Sequence, residues 1–211
     1  MIKKLRLCIS VEGDSENIFV NQILQPYLKN IEVTPVNLAG GINLTRVKNE
    51  LNKLLNGFDK VTTLYDFYGF DKKDGATNKQ ELEQKILDGV SSKFKYKLIP
   101  YVQMYEFEAL FFTKPEVIGE IIGFDSKAWG DKILSECNQD PEKINNSYKT
   151  TPKHRIQQQS NEQYRETQHA SNILKKIGLT EIRKKCQGFD AWLTQLESLG
   201  TISSNAIKKR P

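Results

Sequence analysis

Two stretches decide the fold: Leu7-Cys8-Ile9-Ser10-Val11-Glu12-Gly13-Asp14-Ser15-Glu16 (residues 7–16) and Val61-Thr62-Thr63-Leu64-Tyr65-Asp66-Phe67-Tyr68-Gly69 (residues 61–69). Each is a short apolar run that stops on a carboxylate, Glu12 in the first and Asp66 in the second. Short apolar runs bounded by turn residues read as buried strands. In a parallel sheet the ends of such strands share one edge, and open α/β folds build their sites there. Two carboxylates meeting at that edge suit a hard divalent cation such as Mg²⁺, which prefers oxygen ligands.

Outward from these runs, the first hundred residues alternate strand and helix patterns. Leu5–Val11 is strand-like, and Asp14 or Ser15 can cap a helix over Glu16–Leu28, with Ile18, Phe19, Ile23 and Leu24 at helical spacing. Ile31–Leu38 is a second strand, in which Pro35 marks a bulge or an edge. Gly40-Gly41 is a turn, and Ile42–Leu55 is amphipathic. Val61–Asp66 is the third strand, Thr77–Val90 a polar helix and Lys97–Met104 a fourth strand. This order predicts a mostly parallel sheet with right-handed crossovers. Gly69–Asn78 reads as an exposed loop. After Glu106 the pattern turns helical, with short helices at Glu108–Phe112, Pro115–Ile122 and Ser126–Cys137. Asn138–Thr151 and Gln157–Gln168 are polar, and Ser171–Ile177, Thr180–Cys186 and Phe189–Leu199 close a helical bundle on the sheet. Thr201–Pro211 has little to bury and reads as a loose tail.

The 211 residues fit one domain, or one with an appended subdomain. The apolar run after the basic start is too short for a signal peptide. No segment reaches the ~18 apolar residues of a membrane span. A soluble, cytoplasmic protein without a membrane partner is expected. The three cysteines (Cys8, Cys137, Cys186) are scattered, and the two histidines (His154, His169) lie far from them in the chain. That pattern argues against zinc and fits a reducing compartment. No phosphate-binding Gly-x-x-x-x-Gly-Lys-Ser/Thr loop is present, which argues against a nucleotide sensor. The net charge of +5 is unevenly spread: residues 143–186 hold ten Lys/Arg against three Asp/Glu, whereas residues 1–142 hold 18 against 21. The excess is either a phosphate-facing surface or a solvated helical face.

Glu12 is fixed by its strand end and precedes Gly13, which permits a tight turn. Asp14 and Ser15 are explained by capping the next helix; Glu16, in its first turn, either answers the helix dipole or joins the site. Asp66 is either a turn former or the partner of Glu12. Asp71 and Asp74 read as solvated. Glu106 and Glu108 sit inside the aromatic run 105–112, where an unpaired charge costs several kcal/mol. In extended backbone the two point the same way. On a helix they diverge by ~200°, so that only one reaches a shared site. Lys153 and Arg155, at a proline-marked boundary, could hold a phosphate, Arg155 as a fork.

Taken together, these residues resemble the Toprim fold of topoisomerases, primases and the overcoming-lysogenization-defect nucleases. That fold keeps a Glu after its first strand and an Asp-x-Asp after its third. Val11-Glu12-Gly13 matches the first element; Asp66-Phe67-Tyr68-Gly69 matches the second only in part, because Tyr68 replaces the second Asp. A closer likeness is to Toprim-like bacterial proteins classed as a domain of unknown function, often encoded beside AAA or SMC-like ATPases in loci tied to phage or plasmid defence. That family looks like Val-Glu-Gly-x-Ser/Thr-Glu, then Asp-x-Tyr-Gly, then Glu-Phe-Glu-Ala-Leu-Leu-Phe. The chain has Val11–Glu16, Asp66–Gly69 and Glu106–Phe112, with Pro152–Ile156 and Phe189-x-x-Trp192 as further matches.

The resemblance implies a Toprim-like α/β core over residues 1–112, a helical part over 113–200 and a tail over 201–211. It implies Mg²⁺ or Mn²⁺ held by Glu12, Asp66 and one of Glu106 and Glu108, with Glu16 as base or added ligand and Lys153 and Arg155 on the phosphate. The expected activity is metal-dependent phosphodiester chemistry on nucleic acid, with an ATPase partner. The alternative is a non-catalytic Toprim-like partner that docks to an ATPase or binds nucleic-acid ends.

Overall fold

A computed structural model of the chain describes residues 4–145 and 147–207. Strands β1 (Leu5–Val11), β2 (Ile31–Asn37), β3 (Lys60–Asp66), β4 (Leu98–Ile99) and β5 (Val102–Gln103) form one five-stranded sheet. Its order is β2-β1-β3-β4, with β5 also on β3, and every pairing is parallel. The register sets Val11 opposite Asn37 on one side and Leu64 on the other. Glu12 and Asp66 therefore leave the sheet at the same edge, and the parallel α/β architecture read from the sequence is the one present.

The apolar runs are continuous because both faces of the sheet are covered. Side chains alternate along β1: Leu7, Ile9 and Val11 enter one core and Cys8 the other. The second core is closed by α3 (Leu44–Gly57) and α4 (Lys79–Asp88). Asn43 and Asn78 cap these helices by accepting from the Arg46 and Glu81 amides. The first core is closed by α1 (Asp14–Phe19) and by the helices that follow β5. Those are α5 (Pro115–Ile122), α6 (Lys127–Glu136), α7 (Pro152–Gln159), α8 (Glu166–Ile177), α9 (Leu179–Lys185) and α10 (Gln187–Ile207). The helix begun by α1 runs through a π turn at Val20–Leu24 into α2 (Gln25–Tyr27). The wide turn precedes Pro26, which has no N–H for the carbonyl one turn back.

Proline placement follows the ladder. Pro35 lies on β2, at the edge of the sheet, opposite Ile9. The fourth strand expected over Lys97–Met104 is broken into β4 and β5 at Pro100-Tyr101. The Thr63 hydroxyl bridges the break, accepting from the Tyr101 amide at 2.8 Å and donating to the Tyr101 carbonyl at 2.7 Å.

α10 is tied to the sheet by Trp192, whose indole N–H donates to the Thr62 hydroxyl at 2.8 Å. Its ring stacks on Tyr101 with centroids 4.6 Å apart and meets Phe189 edge-on at 5.5 Å. The helix continues to Ile207, so residues 201–207 extend it where the sequence suggested a loose tail; residues 208–211 lie outside the described residues. Trp192→Ala removes a large buried ring and leaves the Thr62 hydroxyl with only its bond to the Ile99 carbonyl. Urea unfolding of that variant is expected to show a loss of about 3–5 kcal/mol, with Trp192→Phe losing less.

Candidate functional site

At the C-terminal edge of β1 and β3 lies a cavity of about 430 Å³ whose lining includes Glu12, Glu16, Asp66, Glu108, Lys153, Arg165 and Glu166. Glu12 follows β1 directly. Its Oε2 accepts the Asp66 amide at 3.4 Å, so the end of one strand holds the acid from the other. Gly69 lies against this carboxylate: a Cβ built there would stand 1.8 Å from Glu12 Oε2, so any larger residue would have to push the Glu12 carboxylate aside. Glu16 Oε2 accepts the Gly13 amide at 3.1 Å, which caps the start of α1 and aims the acid at the strand edge.

Glu108 is 3% exposed and sits in the 3₁₀ turn Phe107–Thr113. Tyr164 donates its hydroxyl to Glu108 Oε1 at 3.0 Å. Lys153, in the first turn of α7, bonds Glu166 at 2.5 Å and lies in the field of Glu108 and Glu106. Asp66 Oδ1 is buried with no hydrogen-bond partner. A buried, unpartnered carboxylate oxygen among other carboxylates is a costly arrangement unless something positive reaches it.

The electrostatics follow from that crowding. Burial, then the nearby Glu16, pushes the Glu12 carboxyl up to about 7. Burial takes Glu108 to about 8, against the pull of Lys153. Asp66 is held well above the usual carboxylate range by burial and then by Glu16, Glu12 and Glu108. Glu16 is raised chiefly by burial. Burial opposes the Lys153 ammonium, yet Glu108, Glu166 and Glu106 outweigh it and keep its pKa above the ordinary lysine value.

Among the described residues no three His, Cys, Asp or Glu side chains form a ready-made metal cage. Mg²⁺ seldom needs one: it keeps several waters and takes one or two carboxylates. The donors here fit that habit, being all oxygen, with one atom, Asp66 Oδ1, left open.

A family model described as a domain of unknown function, DUF4276, matches residues 11–197. The chain belongs to the DUF4276 family. No curated protein matches the sequence. Among solved structures, the chain is similar to the C-terminal region of the Burkholderia pseudomallei OLD protein, with TM-score 0.57 and 15% identity over 94% of this chain and 100% of that one. The C-terminal region of the Xanthomonas campestris OLD protein also aligns, with TM-score 0.43 and 16% identity over 94% and 97% of the two chains. The first of these likenesses bears out the Toprim-like fold class, and the family match bears out the resemblance read from the motifs.

Of the residues singled out in this DUF4276 sequence, Glu12, Glu16, Asp66, Glu108 and Lys153 line the cavity; Glu106 and Arg155 do not. Glu106 is extended, at φ −142°, just before the 3₁₀ turn, and the change of backbone sends it away from Glu108. Its Oε2 accepts the Lys153 amide at 2.9 Å and so anchors the start of α7. Arg155 is turned inward: its Nε donates to the Thr150 carbonyl at 2.6 Å, and its side chain is largely buried beside Glu136. Arg155 is therefore not among the cations that line the cavity, which are Lys153 and Arg165. The basic segment 143–186 is also less free than its charge count implied, since Lys143, Lys153, Arg155, Lys176, Arg183 and Lys184 are all in ion pairs.

Tyr164, Arg165 and Glu166 were missed by sequence reasoning. They stand at the start of α8, inside a polar stretch without periodicity. The one available signal was Glu166 itself, an acid in an acid-poor segment beside Arg165.

Raised carboxyl pKa values have a definite sign for stability. The folded chain holds these protons more tightly than the unfolded one, so the stabilisation is full below about 4.5 and is lost as pH rises through about 7 to 8. Without divalent metal, the melting temperature is expected to fall between pH 5 and pH 8, and Glu108→Gln is expected to flatten that fall. A profile that rises over this window contradicts the arrangement.

Proposed function

We propose that this DUF4276 protein carries out metal-dependent phosphodiester chemistry on nucleic acid, as a Toprim-like nuclease. The observation that carries the reading is Asp66 Oδ1, buried and unpartnered at an edge shared with Glu12, Glu16 and Glu108. Mg²⁺ or Mn²⁺, when bound, supplies Lewis-acid charge to a phosphate oxygen and lowers the pKa of water. In this reading Glu12 and Asp66 would hold it, with Glu108 as a further acid of the same cavity. Glu16 takes the proton of the attacking water or adds an oxygen ligand. Lys153 offers charge to the phosphate as negative charge builds on it. Gly69 keeps the Glu12 carboxylate where the amide of Asp66 can reach it.

Tyr68 favours a second reading. It stands where the Toprim pattern has a second Asp, which supports a non-catalytic partner that docks to an ATPase or binds nucleic-acid ends. The ATPase partner, the defence setting and the cytoplasmic location belong to the proposal and rest on the resemblance. The three buried free cysteines agree with a reducing compartment. None of the described helices is long and apolar enough to cross a membrane.

Calorimetry with Mn²⁺ separates the readings. Binding is expected in the native chain and lost in Glu12→Gln and Asp66→Asn, which keep shape and remove charge. Gly69→Ala is expected to fold, because the Glu12 carboxylate is the flexible end of a side chain, but to bind Mn²⁺ at least about tenfold more weakly. Cleavage of DNA and RNA is then measured with the chain alone and with any ATPase found encoded beside its gene. Metal-dependent cleavage that Glu12→Gln abolishes supports the nuclease; unchanged Mn²⁺ binding in both acid variants overturns the site.

A further inference from the structure

The turn after Asp66 carries a cluster that the acid cavity does not use. Tyr68 is 38% exposed, an unusual state for a large ring in this chain, shared among the described residues only with Tyr27 and Tyr96. Its centroid lies 5.4 Å from that of Tyr105 at an interplanar angle of 51°. The Lys73 ammonium stands 5.6 Å from the centroid of Tyr68 and 5.1 Å from that of Phe67.

The ring is held firmly. Tyr68 donates its amide to the Tyr105 carbonyl at 3.1 Å, and its hydroxyl accepts from the Asn145 side-chain amide. Lys73 is anchored by donating to the Phe70 carbonyl at 3.0 Å. Tyr105 itself sits at φ 66°, a left-handed conformation that an aromatic residue takes up only where its surroundings impose it. Strain of this kind, beside a fixed and open ring, gathers at places where a ligand is clamped.

Position supplies the rest. Tyr68 follows Asp66 by two residues, so the two Cα atoms are at most about 7 Å apart. Tyr105 follows β5, on the opposite side of β3 from Glu12 and β1. The edge of the sheet thus runs from acids to aromatics over the span of one nucleotide. A cation and an open aromatic ring beside a phosphate-handling edge are the parts that single-strand binders combine.

The geometry points to Tyr68, backed by Tyr105 and Lys73, as a stacking platform for one unpaired nucleobase next to the phosphate that the Glu12/Asp66 edge receives. The inference rests on the phosphodiester reading and names its substrate: a single strand, or an unpaired end. Bases inside a duplex are stacked on both faces and must be taken out of the stack to reach such a ring. Stacking accepts any base, so no sequence preference is expected. Lys73 adds a cation–π contact to the ring and charge toward the adjoining phosphate.

The test is fluorescence anisotropy in EDTA with a labelled oligothymidylate and a duplex of the same length. The native chain is expected to prefer the single strand. Tyr68→Leu is expected to weaken single-strand binding about tenfold without changing its salt slope, since a stack is lost and no phosphate contact. Tyr68→Phe keeps the ring and is expected to keep the affinity. Tyr96→Leu removes an exposed tyrosine near the opposite edge and is expected to change nothing. Equal binding by Tyr68→Leu and the native chain, an equal loss in Tyr96→Leu, no preference over duplex, or no binding of either probe by the native chain each overturns the platform. The assay contains no divalent metal, so the two readings fail separately. Tyr68-dependent binding without cleavage leaves the platform and removes the chemistry. Cleavage indifferent to Tyr68→Leu leaves the chemistry and removes the platform.

Discussion

Repulsion among buried carboxylates is the constraint on which the rest of this structure depends. Two like charges 4–8 Å apart oppose each other by ~2–4 kcal/mol at the effective dielectric of ~20 that describes protein sites. Glu12, Glu16, Asp66 and Glu108 each feel at least one of the others, and burial raises all four. A fold that existed only to be stable would replace such a cluster with apolar side chains. Here the surroundings instead fix three of the four: the Asp66 amide holds Glu12, the Gly13 amide Glu16 and the Tyr164 hydroxyl Glu108. Lys153 offsets part of the charge, but it is committed to Glu166, and Asp66 Oδ1 stays unpartnered.

The scaffold meets that constraint with the C-terminal helices. β1 and β3 bring Glu12 and Asp66 to one edge, as a parallel sheet must. The other half of the site arrives from far along the chain, because α7 and α8 pack near the 3₁₀ turn that carries Glu108. Glu106 serves this assembly rather than the cavity, by holding the Lys153 amide and so the start of α7. Trp192, bonded to Thr62 on β3, ties the last helix to the strand that ends in Asp66. Stability of the helical part and placement of the acids are therefore linked through one strand.

Much of this was legible in the sequence. The apolar runs ending in Glu12 and Asp66 gave both the parallel sheet and its edge, since strand, turn and acid are local signals. Of Glu106 and Glu108, only Glu108 lines the cavity, because the backbone passes from extended at Glu106 into the 3₁₀ turn between them. What was not legible depends on tertiary packing. Arg155 carries a phosphate-binder's charge, but its guanidinium turned to the Thr150 carbonyl, a contact with no signature in composition. Tyr164, Arg165 and Glu166 lie in a stretch without periodicity, and only the docking of α8 shows that they matter. The split of the fourth strand at Pro100 was readable in principle, because proline cannot donate to a ladder.

The most direct test of the central claim is anomalous X-ray diffraction from crystals of the protein soaked in Mn²⁺ at pH 8, above the value of about 7 to which Glu12 is raised. The account predicts a manganese peak in the cavity beside Asp66 and Glu12, absent in crystals of Asp66→Asn. No peak there, with the Lys153 ammonium moved onto Asp66 as the sole neutralising charge, would contradict it.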